Sequence, residues 1–444
     1  VDSTLAAGDN GCVNRQRLWL LPLLLAVMVF GGWYFGARAQ GEDRELPVYV
    51  TGGERMAAGE EIYRRGTDAK PFTYPPFAAV PFVPFALLPL AWQPPAWFVV
   101  NFVILVFLAR WLHAWGRRDW PGAGPPRLLW FWGLTLVLGV HHVLSVLTNQ
   151  SHDLFIAGAL GLAAASWCRK GHWAGLWAGL GGAIKATPML CLGLFALRLR
   201  PLAVVLLLGS FAALSLLPDW WFPRDDGKYW LQAWYEVNLR GLEVGGTADA
   251  RGAWNPHSYL NQSLSGTLTR LLTAVSIPGR FVDEQVALAN LSPGAAKNVG
   301  LALQLGVLAL IAGGIRGAAR AVRAAPDPLV EQRRLGLGEV AAIACGMVLL
   351  SPQSSKAHFC VWIFPAAFLA DRLLRGRRDL LLWLLVGMAL LLGPLASKGL
   401  VGRDLGNKLL AYGNVTWCTV LLLLATVRSL RPTALPLAPA GPPS

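Results

Sequence analysis

Long apolar runs separated by short polar joints make up most of the chain. The runs occupy residues 18–35, 95–115, 128–146, 154–167, 173–184, 189–197, 202–217, 294–315, 338–350, 359–369, 380–395 and 412–427. A helix needs roughly 20 apolar residues to cross a bilayer, and several runs approach that length. They are continuous rather than alternating. They therefore predict helices and not a β-barrel, because lone strands in lipid leave backbone groups unpaired. A further apolar stretch, 77–92, carries Pro81, Pro84 and Pro89. Interior prolines break the helical ladder, so this stretch reads as a juxtamembrane segment that does not cross. Two polar regions, about 37–94 and 218–292, read as large loops.

Composition agrees with this pattern. The 444 residues are 55% hydrophobic and 14% charged, with a mean hydropathy of +0.46. A soluble domain carries about 25% charged residues. The formal charge of +14 invites a nucleic-acid reading, but Arg and Lys gather in joints between apolar runs, where the positive-inside bias places them. Those joints also suit anionic lipid headgroups. Arg15 and Arg17 precede the first run, which reads as a retained signal-anchor helix despite the small-x-small Ala37-Arg38-Ala39.

The expected topology is one transmembrane domain over 18–430 with about twelve crossings, a cytoplasmic 1–17, and both large loops outside. The tail, 431–444, reads as disordered and cytoplasmic. Arg64-Arg65 and the group Lys398, Arg403 and Lys408 depart from the charge pattern. The six cysteines (12, 168, 191, 345, 360, 418) show no zinc or redox spacing and read as small buried hydrophobes. The absence of an evident internal repeat weighs against inverted-repeat transporters.

This topology brings polar constellations to the outer face: Asp43 and Glu45 with Tyr49; Tyr74-Pro75-Pro76; Asn149-Gln150 with His152 and Asp153; Lys185; Lys356 with His358; and Asn261-Gln262. Ionisable groups at the ends of membrane helices are functional candidates by default. Asp43 or Glu45 is either a general base toward a sugar hydroxyl or a solvated loop acid. Lys185 either binds phosphate or snorkels to the interface. Lys356 and His358 either hold a phosphate leaving group or cap a helix. His141 and His142 are adjacent, face different sides of a helix and lack a carboxylate partner, so a metal role is disfavoured. The aromatics Trp220, Trp221, Trp230, Trp234 and Tyr235 either stack on sugars or lie at the membrane interface. No phosphate-binding loop, dinucleotide fingerprint or nucleophile elbow is present.

In order and spacing, these motifs resemble glycosyltransferase family 87, whose GT-C fold serves bacterial polyprenyl-phosphate-mannose-dependent mannosyltransferases. The stretches are ELPVY (Glu45 to Tyr49), Gly59-x-x-x-Tyr63, PFTYPP (Pro71 to Pro76), NQSHDLFIAGAL (Asn149 to Leu160), AGLWAGLGGAIKATPML (Ala174 to Leu190), NQSLSGTLTRLL (Asn261 to Leu272) and LLSPQSSKAHFCVWIFP (Leu349 to Pro365). The resemblance implies a plasma-membrane enzyme with an extracytoplasmic site. It would move a hexosyl unit, with inversion, from a polyprenyl-phosphate sugar to a glycolipid or glycan acceptor, without cofactor or metal.

It also implies an acidic base in the first outer loop. The family pattern has an aspartate four residues before the tyrosine; here that position is Glu45, with Asp43 two residues earlier, and Glu45 is favoured. Lys356 and His358 would flank the donor phosphate, with Lys185 as the family's Lys-x-x-Pro lysine. Tyr49, Tyr74, Asn149, Gln150, Asn261 and Gln262 are the substrate-binding candidates. The competing expectation is a lipid or sugar transporter without transferase activity.

Overall fold

The computed structural model describes residues 26–34, 44–64, 70–118, 125–240, 254–275, 279, 281–375 and 379–431. Asp43, the segment before residue 26 and the tail after 431 lie outside the described residues. Within them, regular structure is helical throughout, which makes the chain an all-α, multi-pass membrane protein.

The principal helices are α1 (Leu46–Ala57), α2 (Gln93–Arg118), α3 (Pro125–Asn149), α4 (Asp153–Trp167), α5 (Ala174–Ile184), α6 (Cys191–Leu197) and α7 (Pro201–Trp221). They continue with α8 (Leu264–Leu272), α9 (Pro293–Ala324), α10 (Pro328–Leu350), α11 (Ile363–Leu374), α12 (Leu380–Leu392), α13 (Arg403–Ala411) and α14 (Asn414–Ser429).

Among the described residues, five helical stretches are long and apolar enough to span a bilayer: Leu90–Arg117, Pro126–Asn149, Pro201–Trp221, Pro293–Ala324 and Lys356–Leu374. A sixth arises if α13 and α14, bent by 61°, count as one. Whole spans therefore do not add up to the expected topology of about twelve crossings. Local chemistry breaks several of the expected ones. Between α5 and α6, Lys185 is extended (φ −152°, ψ 127°) and Pro188 opens a 3₁₀ turn over Thr187–Leu190. The run 173–197 thus becomes a hairpin of two short helices. The prolines of 77–92 likewise yield a 3₁₀ turn (Pro76–Phe82) and a one-turn helix (Val83–Ala86) beneath α1.

Helix ends meet in a consistent up-and-down order. Trp115 Nε1 at the end of α2 donates to Arg333 O at the start of α10 (3.0 Å). An Arg127 guanidinium nitrogen at the start of α3 donates to Leu374 O at the end of α11 (2.7 Å). Arg428 at the end of α14 pairs with Asp379 at the start of α12 (2.8 Å). These contacts gather the basic joints at one end of the bundle. At the other, Asn414 Nδ2 donates to Leu392 O (2.8 Å), and the backbone N of Glu45 donates to Asn149 O (3.0 Å).

Small residues let the helices approach closely. A Cβ on Gly338 of the buried helix α10 would strike the Phe368 ring, and one on Gly175 of α5 would collide with the backbone carbonyl of Ala203 on α7. One turn later Gly179 faces Leu207 O and Ser210, a small-xxx-small contact of the kind that drives helix association in lipid. Backbone cannot yield as a side-chain tip can. Gly175→Ala should therefore cost about 1–3 kcal/mol, read as a lower melting midpoint in detergent, whereas Gly209→Ala on α7, with open space around its Cβ position, should not.

The outer loops lock together. Gly59 holds φ +71° and accepts a hydrogen bond from Asp225 N, and Arg224 bridges to Glu61 at 2.9 Å. Trp230 and Trp234 are buried, with their indole N–H groups on Phe222 O (2.7 Å) and Thr73 O (3.1 Å). They serve neither expected aromatic role; Trp220, Trp221 and Tyr235 remain exposed. Arg270 of α8, 2% exposed, donates to the carbonyls of Ala411, Ser258 and Asn261 and ties this loop to α13. The five described cysteines are buried, as expected.

Candidate active site

The site lies at the end of the bundle opposite the basic joints. Asp153 opens α4 and Lys185 caps the C-terminus of the antiparallel α5. Each charge sits where its helix macrodipole favours it. Lys185 Nζ reaches Asp153 Oδ1 at 2.9 Å, and Ser151 Oγ donates to Oδ2 at 2.8 Å. The carboxylate is almost wholly buried.

His358 approaches from the turn Lys356–Trp362 that leads into α11. Its Nδ1 accepts the Ser355 backbone N–H at 3.2 Å. In the neutral ring the proton then sits on Nε2, which lies 3.9 Å from Asp153 Oδ1. A cavity of about 10 Å³ lies among Asp153, Lys185, Thr187, Ser351, Ser354 and His358, the room of a single water. A substrate therefore has to sit outside this knot rather than within it.

Glu45 stands on the other side of Asp153, immediately before α1. Tyr49, one turn on, donates its phenol to Glu45 Oε2. Among the described residues Glu45 makes no ion pair. Burial, then the Asp153 carboxylate, raise its pKa above the 4.5 of an ordinary glutamate, against the Tyr49 hydrogen bond and the Lys185 charge. Burial keeps the Tyr49 phenol protonated, well above its ordinary range.

His152 fills the space between. Its ring stands edge-on to Tyr49 (4.7 Å) and Tyr74 (4.2 Å), and both ring nitrogens lack a hydrogen-bond partner. Burial lowers its pKa to about 3, which keeps it neutral. Tyr74 also receives the Lys185 ammonium over its ring face at 5.8 Å.

The sequence candidates divide into three groups. Glu45, Tyr49, Tyr74, Lys185 and His358 converge on the Asp153 cluster. Lys356 stands beside it; its carbonyl accepts from His142 Nδ1 (2.8 Å), and its ammonium has no ion pair among the described residues. Its electrostatic neighbour is Lys398, itself over the Tyr259 ring at 5.6 Å.

Asn149, Gln150, Asn261 and Gln262 serve the backbone instead. Asn149 docks Glu45 through its carbonyl, and Gln150 makes the left-handed turn (φ 56°) between α3 and α4. Asn261 Nδ2 donates to Pro352 O and its Oδ1 accepts from Ser354 N, both at 3.0 Å. Gln262 Nε2 donates to Leu410 O at 2.7 Å. The Asn261 amide therefore braces the 351–355 turn that presents Lys356 and His358, and the Gln262 backbone N–H holds the same turn through Ser354 O (2.7 Å). Asp43 lies outside the described residues.

The sequence pattern groups Asp153 and His152 with Asn149-Gln150 and assigns neither a role. A signal was present: Asp153 is the sole acid between Asp119 and Asp219, and an acid alone in an apolar run demands a partner.

The family model described as glycosyltransferase family 87 matches residues 72–352. A polyprenol-phosphate-mannose-dependent alpha-(1-2)-phosphatidylinositol mannoside mannosyltransferase of Mycobacterium tuberculosis is 26% identical over 394 residues, covering 84% of this chain and 81% of the relative. With a family match over well over half its length, this membrane chain belongs to glycosyltransferase family 87.

Proposed function

We propose that the protein transfers a mannosyl unit from a polyprenyl-phosphate sugar to a glycolipid acceptor on the extracytoplasmic side of the plasma membrane, with inversion. Charge supports the extracytoplasmic side: basic joints collect at the opposite end of the bundle, the end that the positive-inside bias favours for the cytoplasm. On this reading the short and broken helices are crossings too, which restores the topology of about twelve. The mycobacterial relative's name supports mannose and a lipid-linked acceptor.

The carrying observation is the contrast between two neighbouring carboxylates. Asp153 is neutralised by Lys185 and hydrogen-bonded by Ser151, whereas Glu45 has only the Tyr49 phenol. Glu45 is the group free to take a proton. It accepts the acceptor hydroxyl proton as the oxygen attacks the anomeric carbon, and the bond from that carbon to the phosphate oxygen breaks. The departing polyprenyl phosphate gains charge, which Lys356, Lys398 and the His358 Nε2–H stabilise. Preorganised cations in a water-poor site can do this without a metal.

Purified protein in lipid vesicles, supplied with radiolabelled polyprenyl-phosphate mannose and a phosphatidylinositol mannoside, should yield a labelled glycolipid. No product from any polyprenyl-phosphate sugar would sink the reading. The rate should also fall in acid as Glu45 becomes protonated. Because its pKa is raised, that fall should lie above the pH at which a free glutamate titrates. A rate that stays flat through this range removes Glu45 as base.

A further inference from the structure

A second concave site lies at the basic end of the bundle, away from the Glu45–Asp153 cluster. It is a cavity of about 390 Å³ between the α4–α5 turn, the α6–α7 turn and the end of α9. Lys170, Arg198, Arg200 and Arg323 line it, beside apolar Leu199 and Val322. We propose that it binds a phosphate-bearing anion, with the headgroup of an anionic phospholipid of the facing leaflet as the main occupant.

The charges argue first. Arg198 is engaged: its guanidinium pairs with buried Glu339 at 3.2 Å and reaches Gln332. Among the described residues, Lys170, Arg200 and Arg323 have no ion pair. The nearby acids are occupied. Glu339 holds Arg198 and Trp167 Nε1 (2.8 Å), Asp327 caps α10 through Leu329 N and Val330 N, and Glu331 faces Arg334 at 3.8 Å. Arg200 and Arg323 thus border the cavity with no ion pair among the described residues, and Lys170 has only the exposed Asp327 carboxylate in its field, an excess of positive charge that an anion relieves.

The surroundings argue for an amphiphile. Leu199 is 82% exposed, and Leu202 and Trp173 are also exposed nearby in sequence. Exposed leucine and tryptophan beside basic residues is the pattern of a membrane interface. Both turns are also held in a fixed shape by non-glycine residues in the left-handed region, Lys170 at φ 57° and Leu199 at φ 53°.

The test follows the thermal unfolding of the purified full chain in neutral detergent, titrated separately with phosphatidylglycerol, phosphatidylcholine and inorganic phosphate. Phosphatidylglycerol should raise the melting midpoint and phosphatidylcholine should not. In Arg200→Gln/Arg323→Gln the apparent affinity should weaken roughly ten- to thirty-fold, with detergent-solubilised sugar transfer unchanged. Arg316→Gln/Arg320→Gln, exposed on the same helix but outside the cavity, should respond like the parent. A shift with inorganic phosphate that the cavity variant loses keeps the site and assigns it to free phosphate; a shift with phosphatidylglycerol alone assigns it to a headgroup. Equal responses in parent and cavity variant, or equal loss in both double variants, overturn the proposal.

Discussion

Glu45→Gln should lower sugar transfer by roughly 10²- to 10⁴-fold with little change in donor binding. The substitution is nearly isosteric. A glutamine oxygen can still accept the Tyr49 phenol proton, the backbone bond to Asn149 O is untouched, and α1 keeps its place. What disappears is the ability to hold a proton taken from the acceptor. The loss should fall on turnover rather than on the Michaelis constant for donor, since Lys356 and His358 are unchanged. Glu45→Asp keeps a carboxylate but draws it back by one methylene from Tyr49, so it should retain more activity than Glu45→Gln. Asp43→Asn supplies the comparison: transfer that survives Glu45→Gln and collapses in Asp43→Asn would move the base to Asp43.

A simple alternative would make Asp153 the base, because it is the better buried acid. The surrounding groups argue otherwise. A carboxylate bound to an ammonium at 2.9 Å and a hydroxyl at 2.8 Å is stabilised in its charged form and is a poor proton acceptor. Glu45 sits beside that same negative charge, which makes its own ionisation harder and its conjugate base stronger. Two neighbouring carboxylates with opposed environments divide the work, one holding cations in place and the other exchanging protons.

Local pattern revealed much of this site. Glu45, Lys185, Lys356 and His358 stand out because each is ionisable and lies where an apolar run begins or ends, and charge asymmetry between joints put them at one end. The pattern reports which residues terminate helices; it does not report which ends touch. The Asp153–Lys185 pair depends on α4 and α5 packing antiparallel, the role of Asn261 on the 351–355 turn far along the chain, and that of Gln262 on Leu410 of α13. Both amides look like substrate ligands until their carbonyl and N–H partners are seen. The break at Lys185 shows in the sequence only as an irregularity: a lysine followed by Thr187-Pro188 ends one run, and the apolarity that continues on either side does not reveal how short the two helices of the hairpin are.

Asp153→Leu should destabilise the protein by about 3–5 kcal/mol, and the double variant Asp153→Leu/Lys185→Met should recover most of that loss. Lys185 is held between a buried carboxylate and the Tyr74 ring, with 13% of its side chain exposed. Without Asp153 its ammonium keeps only the Glu45 carboxylate in its field, and most of the cost of a buried lone charge appears. Removing both charges replaces the pair by apolar volume, which a membrane interior tolerates. Thermal unfolding of the two single variants and the double variant closes the cycle, and additive effects would mean that the pair is not coupled. Activity should behave differently from stability. The double variant loses the charge that His358 Nε2 faces and that raises the Glu45 pKa, so it should stay slow even when well folded. Its residual rate should keep to somewhat lower pH, because losing the Asp153 charge eases Glu45 ionisation by more than losing the Lys185 charge hinders it. Full recovery of both stability and rate would reduce Asp153 and Lys185 to a structural clasp.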